Sequence, residues 1–246
     1  MAKLRLDKII ASTGAASRRE IKTLVKNGRV AVDGLPARKP EDKYDPENTV
    51  ITIDGIPIKY KTRRVIMLNK PAGYVTATED KLEKTVLDLI TDEYRRLGVY
   101  PVGRLDKDTE GLLLLTNDGD FCHSVISPSK HVGKIYYVET DKALTPDDAI
   151  AIETGIELAN NEKCMPGQLK ITGENKGYIM IFEGKYHQVK RMIASCGKTV
   201  MYLKRVAVGG LRLKSDLQCG KFIELAEEDI ESVFDTSKMN SIFISF

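Results

Sequence analysis

Four consecutive leucines, Leu112 to Leu115, stand directly behind a loop, GRLDKDTEG from Gly103 to Gly111, that sets Asp106, Asp108 and Glu110 on alternate positions. GLLLLT is too short and too uniformly apolar for a surface helix, so it reads as a central strand. The segments around it are consistent with a sheet. VIMLNKPAGY is a buried strand running into a Pro-Gly turn, KIYYVET a strand, QLKIT with GYIMIFEG a β-pair, and TVMYLKRVAVGGLRL one or two strands. Helices are expected at TVLDLI, DFCHSVIS, TPDDAIAIETG and HQVKRMIASCG, with EEDIESVF as the last. The strands come in adjacent groups without regular βαβ alternation. The fold class is therefore α+β, with a mixed, largely antiparallel sheet flanked by helices.

A chain of 246 residues can hold one large domain or a medium one with a small appendage. Charge decides for the second. Residues 1–40 carry ten Lys or Arg against three Asp or Glu, a local charge of +7 in a chain whose total is +3. Such an asymmetry points to a polyanionic partner. In SRREIKTLVKNGRV, Ser17 and Glu20 have the spacing of a capping box, Ile21, Leu24 and Val25 form an apolar side, and Gly28 is a stop. Arg18, Lys22 and Lys26 then form one stripe along the helix, continued by Arg29. LRLDKIIAST reads as a preceding amphipathic helix with Leu6, Ile9 and Ile10 inward, and RVAVDGLPA as a hairpin turning at Asp33-Gly34. A compact module over residues 1–58, a basic linker over 59–64 (KYKTRR) and a second domain over 65–246 are expected.

No apolar tract of about eighteen residues exists and the N-terminus lacks the apolar core of a secretory signal, so a cytoplasmic protein without membrane contact is expected. Cys122, Cys164, Cys196 and Cys219 lie far apart with no CxxC pair and read as buried thiols. His123, His131 and His187 lack a metal-ligand spacing, so each reads as solvated or hydrogen-bonded and no metal is expected.

The acidic loop admits three readings. Asp106, Asp108, Glu110 and Gly111 imitate the opening of an EF-hand, but its twelfth position would be Asn117, and the leucines belong in a strand rather than around an ion. A charged loop capping a buried strand is the ordinary alternative. Yet a carboxylate at the apolar entrance of a strand is partly desolvated and stays ionised only with cationic support, which Arg104, Lys190 and Arg191 could provide. The third reading is a carboxylate nucleophile.

Two resemblances bear on that choice. RLDKIIAS followed by SRREIKTLVKNGRVAVDG resembles the small S-four-type RNA-binding module of a ribosomal small-subunit protein, some tRNA synthetases and several RNA-modifying enzymes. That resemblance implies Arg18, Arg19, Lys22, Lys26 and Arg29 as phosphate contacts. GRLDKDTEGLLLLTNDGD resembles the signature of pseudouridine synthases of the RsuA/RluB type, which modify ribosomal RNA. MLNKPAGYVTATED, SPSKHVGKIYYVE and FEGKYHQVKRMIASCGKTVMYLKR agree with it in the same order.

The family resemblance implies a cofactor-free isomerisation of a flipped-out uridine, with Asp106 as nucleophile on either the ring or the anomeric carbon. It also implies that Tyr136, in the K-x-Y element, packs on the base, that Lys190 pairs with Asp106, and that Arg104 and Arg191 contact RNA. Ile135 departs from the Thr frequent in relatives. Lys190 stands where many pseudouridine synthases carry Arg, keeping the charge without the planar fork. Asp108 and Glu110 are expected to orient the loop. The implied partner is ribosomal RNA, free or within an assembly intermediate, and the implied state a monomer. The small-subunit RNA is favoured because large-subunit relatives often carry a long basic tail, whereas this sequence ends in NSIFISF. A large-subunit target or a non-catalytic assembly protein on the same scaffold are the alternatives.

Overall fold

The computed structural model describes residues 3–58, 60, 63–159 and 161–246. Of the expected linker over 59–64, Lys59, Lys61 and Thr62 lie outside the described residues. The chain divides into two compact units, one of residues 1–64 with 90–99, the other of residues 65–89 with 100–246.

In the first unit, β1 (Leu4–Arg5) leads directly into α1 (Leu6–Ala11), and Leu6, Ile9 and Ile10 are all buried, as their spacing predicts. α2 (Arg18–Lys26) begins with the capping box: the Glu20 amide donates to Ser17 Oγ, and the Ser17 amide donates to Glu20 Oε2 at 2.7 Å. Ile21 and Val25 face inward, which forces Arg18, Arg19, Lys22 and Lys26 into water. β2 (Val30–Val32) and β3 (Leu35–Pro36) form the expected hairpin, with φ of +49° at Asp33 and +80° at Gly34. β4 (Lys43–Tyr44) pairs β1, while β5 (Ile51–Ile53) and β6 (Ile56–Ile58) complete an antiparallel sheet of order β3-β2-β5-β6. A short helix, α3 (Asp92–Arg96), belongs to this unit.

The second unit is built on one nine-stranded sheet. Its strands are β7 (Val65–Lys70), β8 (Tyr100–Pro101), β9 (Glu110–Thr116), β10 (Lys134–Thr140), β11 (Gln168–Gly173), β12 (Lys176–Ile181), β13 (Val200–Val208), β14 (Leu211–Arg212) and β15 (Phe222–Glu224). The main path runs β11-β12-β10-β13-β9-β7-β15, with β14 on β13 and β8 on β9. Every pairing is antiparallel except β13 with β9, so the sheet is mixed and largely antiparallel, as expected.

The leucine run is the middle of β9, and its four leucines are at most 1% exposed. Leu112 and Leu114 pack with Phe121 and Val125 of α4 (Gly119–Ile126) and Ile230 of α7 (Glu227–Ser232). At 20 to 33 cal/mol per Å², each such leucine contributes about 1.5–3 kcal/mol relative to exposure, which makes β9 a stiff platform. At its start Gly111 has φ of +99°, and a Cβ there would collide with the Arg205 backbone. Only glycine lets β13 come this close behind the acidic loop.

α5 (Pro146–Thr154) and α6 (Gln188–Ser195) form where helices are expected, and TVLDLI makes a 3-10 turn over Val86–Leu89. The last helix is not EEDIESVF. A further helix, α8 (Thr236–Ser245), follows, capped by Asp235, and packs Met239, Ile242 and Phe243 against Ile135, Met180 and Ala207. These residues recur at i, i+3, i+4, the spacing of an amphipathic helix, so the signal lay in MNSIFISF itself. Cys164 is buried but Cys219 is exposed, contrary to the expectation of buried thiols. Among the described residues no helix is long and apolar enough to cross a membrane.

Candidate active site

The acidic loop between β8 and β9 is held from beneath by one side chain. Lys70, at the end of β7, is fully buried, and its Nζ donates to the carbonyls of Pro71, Asp106, Lys107 and Thr109 at 2.8 to 3.1 Å. Burial pushes this ammonium down to about 8, against the pull of Asp108, Asp106 and Glu110. The segment after Lys70 adds two further ties. The Gly73 amide donates to the Lys107 carbonyl at 2.8 Å, and Thr76 Oγ1 donates to the Leu105 carbonyl at 2.7 Å. NKPAGYVT is thus the cradle of the loop.

Above that cradle Asp106 is a quarter exposed. Its Oδ2 lies 3.1 Å from Lys190 Nζ and its Oδ1 3.5 Å from His187 Nε2. Lys190 also reaches Asp108 Oδ1 at 2.6 Å. Burial works against its charge, but the hydrogen bonds to Asp108 and Asp106 outweigh it and hold the ammonium above its usual range. The hydrogen bond from Lys190 correspondingly lowers Asp108. Glu110 accepts from the Tyr202 hydroxyl at 2.7 Å. Asp108 and Glu110 are thus engaged by Lys190 and Tyr202, and of the three only Asp106 lines the cleft.

Tyr136 lines the same cleft as Asp106 and Lys190, together with Arg104 and Leu203. It is buried on β10, where the register against β13 shifts between Ile135 and Tyr136. Such irregularities re-aim side chains. Here Arg205, 4% exposed, donates from Nε to the Leu112 carbonyl at 2.7 Å and from Nη1 to the Tyr136 hydroxyl at 3.4 Å. Tyr137 points to the other side of the sheet and donates to Glu139 at 2.5 Å; burial and then that carboxylate push its hydroxyl up to about 12. The two tyrosines therefore cannot substitute for each other.

A second cleft of about 430 Å³ adjoins the first through Arg104, Tyr136 and Lys185, and its walls include Val102, Val125, Lys134 and Arg205. Apolar walls with a few placed polar groups are what a planar heterocycle requires. Lys134 donates to the Val125 carbonyl at 3.2 Å and is pushed down to about 8 by burial, with Arg205 adding to the shift. Among the described residues no group of His, Cys, Asp and Glu could hold a metal ion.

The structure thus brings Asp106, Tyr136, Lys190 and Arg104 together. It does not bring Arg191 with them: that guanidinium turns to Glu162 Oε2 at 3.1 Å and lines neither cleft. In the first unit, Arg18, Arg19 and Lys22 line a basic groove joined by Lys8 and Arg5, two cations the helical stripe did not predict; Asp7 also lines it and engages Arg5 through two hydrogen bonds. Lys26 is exposed away from that groove, and Arg29 is engaged by Asp54 through two hydrogen bonds. His187, read from sequence as solvated or hydrogen-bonded, sits 3.5 Å from Asp106. It is the N-cap of α6, outside the helical span, with φ of +48°, and no local spacing signals that placement. Lys70 and Arg205 had no local signal either.

A family described as RNA pseudouridylate synthase matches residues 64–195, and the S4 domain matches residues 4–50. An uncharacterized RNA pseudouridine synthase of Bacillus subtilis, YtzG, is 43% identical over 231 residues, covering 92% of this chain and 97% of that protein. Ribosomal small subunit pseudouridine synthase A of Escherichia coli is 40% identical over 233 residues, covering 94% and 100%. A crystal structure of a pseudouridylate synthase superposes with a TM-score of 0.66 at 31% identity, covering 94% of this chain and 99% of that one.

Proposed function

The chain belongs to the RNA pseudouridylate synthase family, and from that premise we propose that it isomerises a uridine of small-subunit ribosomal RNA to pseudouridine, with Asp106 as nucleophile. The observation that carries this reading is the Asp106–Lys190 ion pair, 3.1 Å long, in a cleft walled by Tyr136. The reaction breaks the bond between the anomeric carbon and N1, turns the base, and joins the same carbon to C5. The C5 proton leaves and N1 gains one, so atoms balance without a cofactor. A carboxylate can form the covalent intermediate only while it is anionic, and Lys190 stabilises that anion. Tyr136 supplies a flat wall for a base everted from its stack, and Arg104, at the mouth, is exposed and free of ion pairs among the described residues.

The small-subunit target is supported by the coverage and identity of the E. coli relative. Phosphate attraction through Lys8, Arg18, Arg19 and Lys22 would supply affinity independent of sequence. Asp106→Asn is expected to lower pseudouridine formation in a small-subunit rRNA transcript by roughly 10³-fold or more, with RNA affinity retained. Undiminished modification by that variant refutes the assignment. Pseudouridine mapping in both rRNAs, from cells with and without the protein, distinguishes the two subunits.

A further inference from the structure

The loop between β12 and α6 holds an aromatic pair that the isomerisation does not use. Tyr186 is 71% exposed, yet its ring is fixed: it stacks on His187 with centroids 3.8 Å apart and planes 17° from parallel. Neighbouring side chains in an extended segment point to opposite sides. The backbone at His187 is instead left-handed, with φ of +48°, which lets consecutive rings lie face to face. His187 in turn stands 3.5 Å from Asp106. Carboxylate, imidazole and phenol therefore form a continuous run from the nucleophile outward to solvent.

We propose that Tyr186 and His187 form a stacking platform for an unpaired nucleobase of the substrate RNA beside the target uridine, an inference that rests on the reading of Asp106 given above. The charge beside the platform fits RNA: Arg104 is exposed and lines the same cleft as His187. Aromatic rings set among cations are how proteins hold unpaired bases. When one nucleotide leaves its stack, its neighbour loses a stacking partner, and a ring already held flat replaces it with little loss of side-chain freedom. Stacking accepts any base, so the platform contributes affinity and register rather than base choice.

The chain contains no tryptophan, so Tyr186→Trp introduces a single fluorescent reporter. In an Asp106→Asn background, which prevents turnover, titration with a small-subunit rRNA transcript is expected to quench that indole saturably. Ile150→Trp, placed on α5, should stay bright. With Asp106 restored, Tyr186→Ala should raise the half-saturating RNA concentration by about 5- to 150-fold while the single-turnover rate at saturation stays within about threefold of the unaltered protein. Tyr186→Phe should retain affinity and Tyr186→Leu should not. An unquenched indole with RNA bound, or a leucine variant as tight as the tyrosine, overturns the platform. Modification that proceeds with affinity unchanged by Tyr186→Ala also sinks the platform but leaves the isomerase reading intact. Quenching without modification of either rRNA by the unaltered protein does the reverse.

Discussion

The two units use the same kind of side chain in different ways. In the first, Arg18, Arg19 and Lys22 stand in water along a groove, with little of their hydration removed. In the second, Lys70, Lys134 and Arg205 are 0%, 8% and 4% exposed and spend their hydrogen bonds on backbone carbonyls or on Tyr136. A solvated cation attracts phosphate over roughly a Debye length, about 8 Å at physiological salt, and leaves the chain's geometry alone. A buried cation is costly to desolvate and is retained where it fixes something. The contrast separates two contributions expected of the cations: affinity from the solvated ones of the first unit and geometry from the buried ones of the second.

Lys190 gives the largest test of that division, because it is the half-buried cation that pairs with Asp106. Lys190→Ala is expected to slow single-turnover isomerisation by about 10²-fold with RNA affinity nearly unchanged. Lys190→Arg should recover part of the rate, since it keeps the charge but alters the reach to Asp106 and Asp108. Were the alanine variant to lose affinity rather than rate, the second unit's cations would be no different in kind from the first's.

Lys70 comes next, acting only through the loop it gathers. Lys70→Met is expected to lower the single-turnover rate roughly 10-fold, and the pH response distinguishes the causes. Below about pH 8 folded and unfolded chains both carry the proton, and the penalty of burying it is felt in full. Between about 8 and the ordinary value of 10.5, the unfolded chain binds more protons than the folded one. Stability relative to Lys70→Met therefore rises with pH across that window. The rate moves the other way, because a neutral amine holds four carbonyls less firmly. A chemical-denaturation series and a rate profile from pH 7 to 10 check both arms. Parallel loss of rate and stability would remove Lys70 from the positioning role.

These two lysines also mark what could be read in the sequence. The Ser17–Glu20 capping box, the Asp33-Gly34 turn and the leucine strand are local patterns, set by sterics and period over a few residues, and each formed where its pattern predicts. Asp106, Tyr136 and Lys190 were gathered only by resemblance; from periodicity Tyr136 was an ordinary strand residue. Lys70 reads as a polar residue at the end of an apolar strand, because its partners Asp106, Lys107 and Thr109 lie 36, 37 and 39 residues away. Arg205 is 69 residues from Tyr136, and no spacing rule reaches that far. His187 was hidden by a left-handed turn that no local pattern announces. Pairings of this range are decided by the sheet order, which the sequence leaves to tertiary packing.

A smaller effect is expected from the first unit's stripe. Replacing Lys22 and Lys26 together with alanine should weaken binding to the rRNA transcript most at low salt. It should also flatten the dependence of log affinity on log salt by about 0.7–0.9 for each phosphate that is no longer neutralised. The saturated rate should not change. Because Lys22 lines the groove and Lys26 does not, most of the weakening should follow Lys22 alone. A fall in the saturated rate would mean that the solvated cations also set geometry.

The smallest expected effect falls on Arg29, and it sharpens the contrast inside the first unit. Arg29 donates from Nε and Nη2 to the two carboxylate oxygens of Asp54 at 2.8 and 2.5 Å, so its fork is occupied and its charge matched. Position along the sequence stripe made it equal to Arg18 and Lys22; the ion pair makes it unequal. Arg29→Ala should change RNA affinity by no more than about twofold, less than Lys22→Ala. Asp54→Ala should bring the arginine and lysine responses closer by releasing the guanidinium for phosphate. If Arg29→Ala instead weakens binding as much as Lys22→Ala does, the pair opens on RNA. Exposure and spacing, rather than the partner seen in the folded chain, would then govern which cations grip the backbone.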